Sequence, residues 1–217
     1  MNYLEFRKIA LGDKGSSGNH IYLIYRNISV PISFVIFKYT NILPNQISVS
    51  MIILLVLGAL LTLYSHIYLK QIGYLLIFLS FIFDKIDGEL ARTRKIYSEL
   101  GIVLDHIYHI LFWILFPLSL AITAFLNTHE KNAFYFAFMI IIINLIIRFG
   151  KKAKINNNNR KQITKMFINY FIYHQINFFI YGAIIYWFYP KGLNVFLVIY
   201  SILFILKFSL RKLIRKF

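Results

Sequence analysis

Three aspartates and two histidines stand in one short stretch, DKIDGELARTRKIYSELGIVLDHIYH, from Asp84 to His109. Asp84, Asp87, Gly88, Ala91 and Lys95 recur at helical spacing, and at about 100° per residue they share one face within roughly 100° of arc. After the basic cluster Arg92, Arg94 and Lys95 the pattern repeats, with Ser98, Gly101, Ile102, Asp105 and His109 at the matching positions of a second helix. Two adjacent helices can therefore turn carboxylates, an imidazole and small residues toward one shared cleft. The chemistry suited to such a cleft is metal-assisted phosphoryl transfer. Hard divalent cations, Mg²⁺ or Mn²⁺, take carboxylate oxygens, and two such ions brace a pyrophosphate during in-line displacement. Small residues one turn from the carboxylates let a nucleotide approach the backbone, and Arg92 suits phosphate oxygens bidentately. The competing reading is a structural or solvated cluster of charges, against which stands the cost of carboxylates inside an apolar span.

The elements that must hold this cleft are membrane helices. The chain has 217 residues, 59% of them hydrophobic, with a mean hydropathy of +0.65, far above a soluble domain. The expected fold is all-α and polytopic, with six transmembrane helices near the ~20 residues that cross the hydrocarbon core. They fall at about 47–65, 71–92, 98–126, 133–149, 167–189 and 193–212. Residues 1–20 read as a polar, mobile segment without the apolar core of a signal peptide, so the N-terminus is expected to be retained. Residues 21–39 mix apolar residues with Arg26, Ser29, Ser33 and Lys38 and fit an amphipathic helix lying in the interface. With this helix, residues 21–217 form one membrane domain. Leu90 is expected on the lipid-facing side.

Charge gives the orientation. Lys and Arg gather before the first span, after the second (Arg92, Arg94, Lys95), between the fourth and fifth (Arg148 to Lys165) and at the end, while Lys70, Lys131 and Lys191 mark the other side. The positive-inside rule places both termini and the cleft on the cytoplasmic side. A formal net charge of +16 without a continuous basic face points to anionic headgroups rather than nucleic acid. With no cysteine, disulfides and thiolate metal sites are excluded. The segment from Gly150 to Lys165 reads as a headgroup-facing linker. Arg148 and Lys207 lie beside apolar residues at membrane depth and either bind an acceptor phosphate or snorkel to the interface. His174, Gln175 and Asn177 line an acceptor pocket or join helices by hydrogen bonds.

The stretch also carries the signature D-x2-D-G-x2-A-R-x8-G-x3-D-x3-D, matched by Asp84, Asp87, Gly88, Ala91, Arg92, Gly101 and Asp105, with His109 in place of the last aspartate. In this the chain resembles the CDP-alcohol phosphatidyltransferases. Pro44, Asn45 and Ser48 are similar to the family's Pro-Asn-x-x-Thr-like element before its first span; Ser48 is either near the CDP moiety or a helix cap. The resemblance implies transfer of a substituted phosphate from a CDP-linked donor, commonly CDP-diacylglycerol, to the hydroxyl of a second alcohol, with release of CMP. It implies metal ligands at Asp84, Asp87 and Asp105, donor contacts at Gly88, Ala91, Arg92 and Gly101, with Ser98 added, and a homodimer.

The missing aspartate is the family's general base. His109 lies one turn after Asp105 on the same face, and a neutral imidazole can take the acceptor's proton; His106 is the reserve. Two other readings stay open: a CDP-lipid-binding paralogue without turnover, and a small transporter, which would not need the Gly88, Ala91 and Gly101 spacing.

Overall fold

The computed structural model describes residues 1–12, 20–64, 66–149 and 175–214. Among the described residues there are eight α-helices and a short 3-10 helix, Pro190–Gly192. The helices are α1 (Tyr3–Leu11), α2 (His20–Tyr39), α3 (Pro44–Thr62), α4 (Ile67–Arg94), α5 (Glu99–Thr128), α6 (Asn132–Phe149), α7 (Gln175–Phe188) and α8 (Leu193–Ile214). The spans expected from hydropathy coincide with α3 to α8 to within a few residues, except that residues 167–174 and the basic linker lie outside the described residues. By length and composition, α3 and α5 qualify as membrane-crossing helices. Contacts divide the chain into two compact units, Met1–Leu111 and Phe112–Phe217, with the boundary inside α5.

In the first unit α1 corrects the expectation of a mobile N-terminal segment. A capping box starts it: Glu5 N donates to Asn2 Oδ1 at 2.9 Å and Asn2 N to Glu5 Oε2 at 3.1 Å, which satisfies two orphan donors of the first turn. Phe6 and Ala10 are fully buried with Val30, against Phe34 and Phe37 of α2. The reason is helical spacing of Tyr3, Phe6, Ala10 and Leu11, an apolar stripe diluted by the polar residues around it.

The polar stripe of α2 also differs from expectation, because it faces inward. Arg26, Ser29 and Ser33 are buried around Glu89 of α4, which is 0% exposed. Ser29 Oγ donates to Glu89 Oε1 at 2.7 Å, Ser33 Oγ to Oε2 at 2.6 Å, and Arg26 Nη1 to Oε1 at 3.1 Å. A buried carboxylate costs several kcal/mol unless paired and hydrogen-bonded; here three donors offset that cost and lock α2 onto α4.

Helices α3 and α4 pack closely where two glycines cross. A Cβ on Gly73 would lie 2.7 Å from the Gly58 carbonyl oxygen, and one on Gly58 would lie 2.7 Å from that of Gly73. Small residues let membrane helices approach to backbone contact. Gly73→Ala should therefore push the helices apart and destabilise the protein by about 1–3 kcal/mol, measured as a lower unfolding midpoint in detergent; an unchanged midpoint would contradict the crossing.

The end of α4 holds the chain on both sides of the cleft. Arg94 donates to the carbonyls of Thr40 and Ile42, each at 2.7 Å, and so fixes the link into α3. Lys95 ends α4 in the left-handed region, φ 57°, and Ile96 N closes the turn on Ala91 O at 3.0 Å. Lys95 therefore leaves the helical face on which spacing put it. Leu90 is fully buried, not lipid-facing, because α4 is covered by α1, α2 and α3.

In the second unit an aromatic core forms around Phe178, whose ring stacks on Trp113 and on Phe196, each with centroids 5.5 Å apart. Asn194 at the start of α8 donates to Thr128 Oγ1 at 3.1 Å and Glu130 Oε2 at 2.8 Å, pinning the α5–α6 turn.

Candidate active site

The first unit contains a cavity of about 460 Å³ lined by α2, α3, α4, the α4–α5 turn and the start of α5. Ser48, Asp84, Asp87, Gly88, Ala91, Arg92, Ser98, Gly101, Asp105 and His109 all line it. Helices α4 and α5, joined by the short Lys95 to Tyr97 turn, meet where the Ser80 and Tyr108 hydroxyls lie 3.2 Å apart and His109 faces Asp84, so the repeated spacing of small and acidic residues converges on one space.

At the centre, His109 Nε2 lies 3.4 Å from Asp105 Oδ1 and 3.9 Å from Asp84 Oδ1. One ligand atom from each of Asp84, Asp105 and His109 falls within 4.8 Å of the other two. Two carboxylates at such range repel unless a cation lies between or beside them, and Lys85 Nζ meets the Asp84 carboxylate. The two carboxylates suit a hard divalent cation such as Mg²⁺ or Mn²⁺, and the His109 imidazole stands beside them. Asp87 faces the same cavity from one turn along α4, its Oδ2 accepting from Ser48 Oγ at 2.9 Å. Asp105 keeps 42% of its side chain exposed whereas Asp84 keeps 6%, so the cluster runs from the helix interior toward an open mouth.

Ser48 is not a helix cap. It lies inside α3, where its hydroxyl reaches Pro44 O at 3.2 Å as well as Asp87; the helix is entered instead through Pro44 at its first turn, with Gln46 Oε1 accepting from Leu43 N at 2.8 Å. Ser98 does the capping for α5: its Oγ accepts from Gly101 N at 3.0 Å and donates to Asn45 Oδ1 at 2.8 Å. A Cβ on Gly101 would lie 3.0 Å from Asn45 Oδ1 and 3.1 Å from Ser98 Oγ, so glycine is what lets α3 and α5 share that wall.

Above Gly88 lies the guanidinium of Arg92, with Nη1 3.2 Å and Nη2 3.7 Å from where a Cβ would stand. His106 points away: its side chain is 63% exposed and its Nδ1 lies 2.8 Å from Ile102 O. The side chains of Arg148, Lys207, Gln175 and Asn177, and all of His174, lie outside the described residues. Sequence reasoning missed Lys85, Arg26 and Glu89. Arg26, Ser29 and Ser33 are spaced along one helical face, and an acidic residue, Glu89, stands within the second span; together they were the readable signal.

Long apolar helices and a carboxylate-lined cavity, with no strand among the described residues, are the make-up of a membrane protein that handles cations and phosphates. The model of the CDP-alcohol phosphatidyltransferase family matches residues 41–208, about three quarters of the chain, and the protein belongs to that family. It is thus an integral, polytopic membrane protein of a family of divalent-metal-dependent CDP-alcohol phosphotransferases in phospholipid biosynthesis. Among curated proteins no relative matches the chain.

The small face makes a separate prediction. Gly88→Leu would place its side chain in the space between Arg92 and the cavity, and donor binding should fall roughly tenfold or more. Leu75→Phe on the exposed side of the same helix should leave it unchanged. Equal binding of CDP-lipid by both variants would contradict the assignment of that face.

Proposed function

We propose that the protein transfers a substituted phosphate from a CDP-linked lipid, CDP-diacylglycerol, to the hydroxyl of a second alcohol and releases CMP. The observation that carries this reading is the convergence of Asp84, Asp87, Asp105, His109 and Arg92 on one cavity large enough for a nucleotide headgroup. Asp84, Asp87 and Asp105 would hold two divalent ions, Mg²⁺ or Mn²⁺. Such ions neutralise pyrophosphate charge and so favour departure of CMP. Arg92 grips phosphate oxygens, Gly88, Ala91 and Gly101 leave room for the nucleotide, and Ser48 and Ser98 orient its polar edges. Asp87 is oriented by Ser48, and Asp105 by its place one turn before His109.

His109 takes the proton of the acceptor hydroxyl. The acceptor oxygen then bonds to the phosphorus that carries the diacylglycerol, and the bond from that phosphorus to the CMP oxygen breaks. We infer as well a membrane domain of six spans, with both termini and the cavity cytoplasmic and two copies forming a homodimer. The distribution of Lys and Arg supports the orientation. The test is to supply purified protein with CDP-diacylglycerol and a panel of alcohols, including glycerol phosphate, inositol phosphate and serine, and identify the lipids by mass spectrometry. One new phospholipid with matching loss of donor is the expected result; donor untouched with every alcohol would overturn the assignment.

A further inference from the structure

Two arginines reach the cavity from different helices, Arg92 of α4 and Arg26 of α2. Both donate to one atom, the carbonyl oxygen of Ala10, Arg92 through Nε at 2.8 Å and Arg26 through Nη1 at 3.4 Å. Ala10 lies in the last turn of α1, where carbonyls lack intrahelical partners and the helix end carries partial negative charge. Two guanidinium groups held this close repel each other, and more strongly where water is scarce. The α1 carbonyl end offsets that repulsion from one side and the Glu89 carboxylate from the other, since Arg26 also donates to Glu89 Oε1. Arg92 ties to α1 through Nε, and its Nη1 and Nη2 lie over Gly88, an edge of the kind that suits bidentate phosphate contact. Phe6, fully buried against Phe34 and Phe37, seats α1 in this place. The helix precedes the family-matched residues 41–208.

We propose that α1 is a positioning element of the donor site: its carbonyl end holds the Arg92 guanidinium where it receives the pyrophosphate of the donor. This rests on the donor-site reading above. The clamp adds no contact of its own to the ligand; it fixes a rotamer of Arg92 that would otherwise be one of many, and so lowers the ordering cost of binding.

The experiment measures CDP binding in the presence of Mg²⁺ by calorimetry, together with unfolding midpoints. Phe6→Ala, which unseats α1, should weaken CDP about tenfold, while Leu4→Ala, at an exposed position of the same helix, should not. Ala10→Gly loosens the last turn with little loss of packing and should act in the same direction at smaller size, which keeps the test valid should Phe6→Ala fold poorly. On an Arg92→Ala background, Phe6→Ala should add no further loss, because positioning acts through that arginine. Additive losses would mark a merely structural role and overturn the clamp. So would a Phe6→Ala or Ala10→Gly variant that folds and binds CDP as the parent does. A parent that binds no CDP overturns the donor-site reading and the clamp with it.

Discussion

Asp84→Asn and Asp87→Asn should each lower metal and CDP-lipid affinity together, on the order of 100-fold or more. Asp84 contributes to the cluster in which donor atoms of three side chains lie within 4.8 Å, and Asp87 faces the same cavity with one oxygen held by Ser48. Amide replacement keeps shape and removes charge. With divalent ions weakly held, the positive field that receives a pyrophosphate is lost as well, so the two affinities fall in one step. The loss should not be a folding defect, since an amide at position 87 keeps an oxygen for Ser48 Oγ, whereas Glu89 takes three donors from α2. Titration of Mn²⁺ and of CDP-lipid into each purified variant checks this. Metal and donor bound by Asp87→Asn as by the parent would remove that face from the metal site.

His109→Ala should cut turnover by about 10²- to 10⁴-fold, the range general-base catalysis supplies, with donor affinity little changed. The imidazole Nε2 is 3.4 Å from Asp105 Oδ1, beside the place where an acceptor hydroxyl would be held. His109→Asp restores the residue type that the family signature has at this position and should recover part of the rate. His106→Ala should be silent, because His106 faces away from the cavity and has its Nδ1 within hydrogen-bond distance of Ile102 O. Single-turnover rates with bound donor separate this chemistry from binding. Full activity of His109→Ala would sink the base assignment.

The cleft was readable because its spacing is local. Asp84, Asp87, Gly88 and Ala91 on one helix, and Gly101, Asp105 and His109 on the next, share faces by helical geometry alone, and the two faces meet where His109 approaches Asp84. The helices α3 to α8 were readable for a similar reason, as long apolar runs mark their own ends. What sequence could not give was long-range pairing. Arg26, Ser29 and Ser33 look like a headgroup-facing stripe until Glu89, 56 to 63 positions away, is brought against them. Helix α1 was missed because its buried stripe is short and set among charged residues, and the Asn2–Glu5 capping box that announces it lies ahead of the expected membrane spans. Leu90 was misplaced because three helices cover α4, which leaves little of its C-terminal half for lipid.

The central claim is that this cavity uses a divalent metal to pass phosphate from a CDP-linked lipid to an alcohol. It is tested most directly by following CMP from purified protein, CDP-diacylglycerol and the mixed alcohols, with and without EDTA. The account predicts CMP appearing in step with one new phospholipid, stopping with EDTA and resuming when Mg²⁺ or Mn²⁺ is returned. Donor that binds without any CMP release, or CMP release indifferent to EDTA, would contradict it.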